Sequence, residues 1–373
     1  MSQLRKFLLG LVVLAVLLTV ASVAFVYMWP SFGGAVTGAR LEQARKSPQH
    51  KGEAFENVIP QTPRGSGLIW EYLRQQYAGT EVRTPPQPIP VVRLAAERFR
   101  QPPATNVTAI WFGHASVYLE LDGIRVMLDP ILSDWASPVP GVGPKRFHPP
   151  PAELSALPKI DAVLISHDHY DHLNMDTVRH LASTGSHFFV PLGIGTHLER
   201  WGVPKAQFTE LDWWQSAEVR GVRLTSTPVR HYSGRALSDR NATLWSSWVI
   251  AGPTQRIYFS GDTGFGKHFA TIGARLGPFD LSILKIGAYG PGQPWLDIHM
   301  EPEEAVAAHL ALKAKRMLPV HWGTFNLAFH AWDEPIRRAV KAAQDNRIDM
   351  ATPRIGETVT ATSASTAWWE AIR

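Results

Sequence analysis

The stretch His167-Asp168-His169-Tyr170-Asp171-His172 gathers three imidazoles and the carboxylate of Asp171 within six residues. It follows an apolar run at 162–165 and Ser166, so the cluster reads as a loop opening from the end of a buried strand. Imidazole and carboxylate suit zinc, iron or manganese. The chain has no cysteine, which removes thiolate zinc sites, iron–sulfur clusters, disulfides and cysteine nucleophiles and leaves zinc or iron as the best fit. Four ligands so close in sequence cannot all reach one small ion tetrahedrally from an extended loop; two adjacent ions relieve that strain. The bland alternative is a solvated His-rich loop, but the neighbours are not of low complexity.

Two ions need further ligands. His231 follows residues 222–228, Asp262 lies in Gly261-Asp262-Thr263-Gly264 after 256–260, and His321 follows 317–320. The two oxygens of Asp262 suit a bridge between ions. Taken singly, each has another reading: an exposed loop histidine, a turn aspartate and a half-buried core histidine. Their shared position after β-rich runs is what makes them a set.

The elements that must place these residues begin near Val107. Residues 109–121 and 124–128, joined by Asp122-Gly123, predict a hairpin. Further strands are expected at 162–165, 222–226, 244–250, 256–260, 281–286 and 317–320. Helices are expected at 176–182, 302–313 and 334–344, the second with Glu303 and Glu304 favouring its N-terminal dipole. Two packed sheets flanked by helices follow. Residues 31–105, rich in Pro, Gly and charge, read as a stalk and wrapping extension with one short helix at 67–77. The hydrolytic domain is expected over 106–373.

With these residues in place, the chain resembles the metallo-β-lactamase superfamily, in which H-x-H-x-D-H is followed by a His, an Asp and a His. More closely it resembles the N-acylphosphatidylethanolamine-hydrolysing phospholipase D group and its bacterial relatives. The segments that carry this include Trp111-Phe112-Gly113-His114-Ala115, Gly143-Pro144-Lys145-Arg146-Phe147, Leu211-Asp212-Trp213-Trp214 and His321-Trp322-Gly323-Thr324-Phe325. The resemblance implies an α/β fold, an αββα sandwich, with two zinc ions; iron or manganese also suits the ligands. One ion would use His167, His169 and His231, the other Asp171, His172 and His321, with Asp262 bridging. It implies attack on phosphorus by a hydroxide shared between the ions. His299 is expected to position the substrate phosphate, Asp129 to orient the His-rich loop, and His114 to be structural. Ile298 departs from the polar residue of mammalian relatives. Tyr170 and Tyr289 fit either a border to the metals or buried packing. Gly261-x-x-Gly264-x-Gly266 is not a dinucleotide fingerprint; its glycines are expected to let backbone approach the metal. Trp213-Trp214 and Trp368-Trp369 are expected to pack in the core and to dock the C-terminus.

Arg5 and Lys6 precede an uncharged apolar run at 7–29. At 1.5 Å per residue it is about 34 Å long as a helix, enough for a bilayer core of about 30 Å. Ser22-Val23-Ala24 also offers a signal-peptidase site, but Tyr27 and Trp29 suit an uncleaved anchor over 1–30. The flanking charges put the N-terminus in the cytoplasm and the bulk of the chain on the periplasmic side of a bacterial inner membrane. A net charge of +5 without basic blocks argues for an anionic surface or substrate and against nucleic acid. The expected function is a membrane-anchored zinc phosphodiesterase of phospholipase D type acting on N-acyl phosphatidylethanolamine or a related phospholipid. Hydrolysis of a lactone, amide or nucleotide phosphodiester on the same fold is the alternative, followed by a non-catalytic envelope metal-binding protein. The oligomeric state stays open, a dimer included.

Overall fold

The computed structural model describes residues 3–63, 65 and 67–372. Two seven-stranded mixed sheets stack face to face with helices on their outer faces. Strands β1 (Thr108–Gly113), β2 (Ser116–Leu121), β3 (Ile124–Leu128), β4 (Ala162–Leu164), β5 (Phe188–Pro191) and β6 (Phe208–Leu211) run in that order across the first sheet. The second sheet takes β7 (Ser216–Val219), β8 (Val222–Thr227), β9 (Ser247–Ala251), β10 (Arg256–Phe259), β11 (Phe279–Lys285), β12 (Ala314–Val320) and β13 (Asp349–Met350). Strand β14 (Thr358–Val359) returns to close the first sheet beside β1. Antiparallel hairpins β1–β2–β3 and β7–β8–β9–β10 each pass into parallel strands. Parallel pairing requires crossovers, which carry the helices Met175–Ser183 and Pro302–Leu312.

The main core fills the space between the sheets, with Trp111, Val117, Leu119, Trp248, Ile257 and Leu318 fully buried. At the β2–β3 turn Asp122 (φ 46°) and Gly123 (φ 77°) both take the left-handed conformation that a two-residue hairpin demands. The single strand expected over 109–121 is instead two. Gly113 and His114 turn the chain at φ 96° and 50°, and His114 N donates to Thr324 Oγ1 at 2.7 Å. That tertiary contact favours a conformation a local pattern does not reveal. Pro302–Leu312 starts with a reciprocal cap: Glu301 N donates to Glu304 Oε2 at 2.9 Å, and the Glu301 side chain accepts the backbone N–H of Glu304. Trp213 donates to Trp245 O at 2.7 Å, while Trp368 stacks on Trp322 with centroids 5.3 Å apart. These pairs serve packing and C-terminal docking.

The N-terminal helix Gln3–Met28 has no buried residue and is long and apolar enough to cross a membrane by length and composition. Beyond it, residues 31–105 touch the sandwich at many points. Arg40 binds Glu210 at 2.9 Å and Glu199 at 3.0 Å, and Val92 N donates to Ile355 O at 2.8 Å. Asn57 holds His231 from both sides: Nδ2 donates to its carbonyl at 2.7 Å, and Oδ1 accepts its N–H at 3.0 Å.

Candidate metal centre

The side chains singled out in the sequence lie on loops just past strand ends. His167 follows β4, His231 follows β8, Asp262 follows β10 and His321 leaves β12 directly with φ 66°. His231 is fully buried, so it is no exposed loop histidine.

The geometry separates two ligand groups around one carboxylate. His169 Nδ1 lies 2.8 Å from His167 Nε2 and 3.3 Å from His231 Nε2. Asp171 Oδ2 lies 3.4 Å from His172 Nε2 and 3.5 Å from His321 Nε2. Asp262 stands between the groups. Its Oδ2 is 3.3 Å from His172 Nε2 and 3.9 Å from His231 Nε2, and its Oδ1 is 3.1 Å from His321 Nε2. Buried His169 Nε2, His172 Nε2, His321 Nε2 and Asp262 Oδ1 lack hydrogen-bond partners. Unpaired buried polar atoms are costly unless a ligand satisfies them. Converging nitrogens and carboxylate oxygens without thiolate fit zinc or a related ion, and the buried His/Asp clusters are consistent with a dinuclear centre.

A second layer fixes these rings. Asp129, in the left-handed region after β3 (φ 37°), accepts His172 Nδ1 at 2.7 Å, Ser166 N at 2.6 Å and Ser166 Oγ at 2.5 Å. Ser166 Oγ lies 2.8 Å from His167 Nδ1, so one buried carboxylate steers two rings. His231 Nδ1 donates to Ile298 O at 3.0 Å, leaving Nε2 toward the site. His114, expected to be structural, has its Nε2 2.8 Å from Asp171 Oδ2 and stands inside that ligand group.

The electrostatics of the two groups differ, since burial of His172 is outweighed by the carboxylates beside it, which hold it well above the imidazole range. Burial, then the neighbouring His172 and His169 rings, push His167 well below the imidazole range, and burial does the same to His231. These rings are neutral, the form a metal takes. Burial alone would raise Asp171 and Asp262. His172 and His114 beside the first, and His321 and His172 beside the second, outweigh burial and keep both carboxylates ionised.

The centre opens into a cavity of about 750 Å³ whose other walls include Tyr72, Pro294, Trp295, Ile298, Leu327 and Phe329. His299 lines it, with Nδ1 3.7 Å from Asp262 Oδ2 and no hydrogen-bond partner. Tyr170 also lines it. Tyr289 turns away to donate to Glu334 Oε1 at 2.7 Å and stack on His330. The glycines on either side of Asp262 permit close packing. A Cβ on Gly261 would stand 2.4 Å from Ser166 Cβ, and one on Gly264 2.4 Å from Leu296 O. Gly261 thus admits the Ser166 side chain and Gly264 the backbone of Leu296 and Asp297. Sequence reasoning passed over Lys285, a fully buried ammonium that donates to Gly287 O at 2.6 Å and that burial pulls down to about 8. Its only sequence signal is a charge ending an apolar strand.

Residues 124–322 match the family described as "Beta-lactamase superfamily domain". An uncharacterized Mycobacterium tuberculosis protein is 45% identical over 352 residues, covering 91% of this chain and 92% of its own. The Caenorhabditis elegans N-acyl-phosphatidylethanolamine-hydrolyzing phospholipase D 1 is 33% identical over 327 residues, covering 83% and 91%. Among solved structures, an isothiocyanate hydrolase from Delia radicum gut bacteria superposes with a TM-score of 0.55 over 68% of this chain and 98% of that one, at 17% identity. That last likeness concerns the fold.

Proposed function

The chain belongs to the β-lactamase superfamily, with a metal-dependent hydrolase's buried donor set, and from that premise we propose a membrane-anchored phosphodiesterase of phospholipase D type. Its substrate is N-acyl phosphatidylethanolamine or a related phospholipid. The observation that carries this reading is the cavity: a space of about 750 Å³ with largely apolar walls adjoins a cluster of metal-ligating side chains. Such a space suits acyl chains beside a phosphate better than it suits a small polar substrate. The nematode relative's name supports the same choice, and the exposed apolar helix Gln3–Met28 supplies the anchor, with the catalytic domain on the periplasmic side.

His167, His169 and His231 would hold one zinc, Asp171, His172 and His321 the other, and Asp262 both. Bound there, two ions supply a water nucleophile at neutral pH and neutralise charge developing on the phosphoryl oxygens. The chain does the rest. Asp129 and Ser166 hold the rings of His172 and His167 in their ligating tautomers. His299, kept neutral by burial and then by Lys285, donates a ring N–H to a phosphoryl oxygen. In the net reaction a P–O bond to water's oxygen forms and the P–O bond to N-acylethanolamine breaks. The departing alkoxide takes a proton, and phosphatidate remains.

The test is hydrolysis of a lipid panel by the zinc-loaded full chain, with mass spectrometry of products. Phosphatidate and N-acylethanolamine in equal amounts are expected. A protein that keeps both ions yet releases neither from any N-acyl phospholipid would overturn the phospholipase reading.

A further inference from the structure

The apolar helix does not lead into a loose tether. Arg235, almost fully buried, joins the residues just past the helix to the ligand loop. Its Nη1 donates to the carbonyls of Asp168 and Leu173, the latter at 2.9 Å, so it holds the His-rich loop at both ends. Its Nε and Nη2 donate to Ser31 O at 3.3 and 2.8 Å. The guanidinium lies 4.1 Å from the Tyr170 ring centre, and Tyr170 O–H donates to Arg235 O.

Neighbouring contacts fasten the same segment. Trp201 Nε1 donates to Pro30 O at 2.8 Å, Trp29 Nε1 to Pro138 O at 2.8 Å and Arg200 Nη2 to Tyr27 O at 2.7 Å. Gly34 N donates to His197 Nδ1 at 3.1 Å, and His197 Nε2 lies 3.4 Å from Asp168 Oδ2. At Gly33 (φ 81°) a Cβ would stand 2.1 Å from His197 Nδ1, so only glycine permits this approach. A chain of rings completes the link: Phe25 in the helix to Phe32 at 6.0 Å, and Phe32 to Tyr170, a wall of the cavity, at 6.3 Å. Ordering backbone costs conformational entropy at every residue, which a simple tether has no need to offset.

We propose that residues 29–35 form a rigid joint between the membrane helix and the ligand loop. It holds the Tyr170 wall of the cavity at a fixed height beside the bilayer, so that an amphiphilic substrate passes from membrane to site without crossing bulk water. Arg235 and Phe32 are positioning residues in this arrangement. The proposal rests on the anchored-phospholipase reading, deepening it with a route of substrate entry.

The experiment uses the full chain in phosphatidylcholine vesicles containing N-acyl phosphatidylethanolamine. A Gly/Ser insertion of about ten residues between Met28 and Trp29, about 17 Å in mean span, keeps anchor and joint but uncouples them. Because the chain has no cysteine, Leu237→Cys on an exposed loop gives one dye site, from which energy transfer to labelled lipid headgroups reads height. The uninterrupted chain should give a narrow distance distribution that the insertion broadens. The insertion should also lower turnover on vesicle-embedded lipid about ten-fold, leaving metal content and turnover in detergent micelles unchanged. Phe32→Ala, which keeps every backbone bond, should shift the vesicle-to-micelle ratio the same way by a smaller factor. A distribution as broad without the insertion as with it, or an equal loss on vesicles and micelles, would overturn the joint. A narrow distribution with no lipid turnover by the unaltered chain would instead defeat the phospholipase reading.

Discussion

Two cavities lie in different chemical settings. One, about 750 Å³, contains His169, Asp171, Asp262, His299 and His321. The other, about 860 Å³, is lined by residues around Thr105, Gln255, Asp280, Lys315, Asp349 and Thr360. In the larger one the charged groups stand opposite one another: Lys315 Nζ sits 2.8 Å from Asp280, and Arg316 Nε, a buried donor without a hydrogen bond, 3.5 Å from Asp349. No histidine lines it. In the smaller, ring nitrogens and a carboxylate oxygen face one another without hydrogen-bond partners. Volume therefore does not pick out the site; unsatisfied ligand atoms held by a second layer do.

Breaking that contrast should be easiest at Asp262, the carboxylate between the two groups. Asp262→Ala is expected to lose both ions or keep one weakly, with turnover falling by more than about 10³-fold, since more than a single donor is removed. Full turnover with both ions retained would refute the bridge. His299→Ala should leave metal content unchanged and lower kcat by about 10²–10³-fold, measured on micellar lipid; an unchanged kcat would remove His299 from the chemistry. Asp129→Asn weakens the support of His172 and His167, and chelator competition should register a loss of about 10–100-fold in metal affinity. At the other cavity Lys315→Ala should leave both turnover and the denaturant midpoint unchanged, since the side chain and its ion pair are exposed. A marked fall in turnover there would mean that the second cavity takes part.

The legible part of the site was its chemistry. Imidazoles and carboxylates past strand ends declare themselves in sequence, because β-runs are periodic and ligand residue types are few. The Asp122-Gly123 hairpin was legible for a similar local reason. What escaped depends on contacts between distant segments. His114 turns β1 into β2 through Thr324 and meets Asp171. Arg235 looks like any loop arginine until Ser31, Asp168 and Leu173 are folded around it. The helix His268–Leu276 also went unread, though it buries Phe269 and Ile272 on one face. Nor does sequence show what the glycines near Asp262 approach, since Ser166 and Leu296 lie far from them along the chain.

The dinuclear centre is most directly tested by elemental analysis of the full chain, purified without chelator and quantified per chain. Two ions of zinc, or of iron or manganese in its place, are expected, because His167, His169 and His231 form one group, Asp171, His172 and His321 another, and Asp262 faces both. One ion or none, in protein whose fold is intact by circular dichroism, would contradict it.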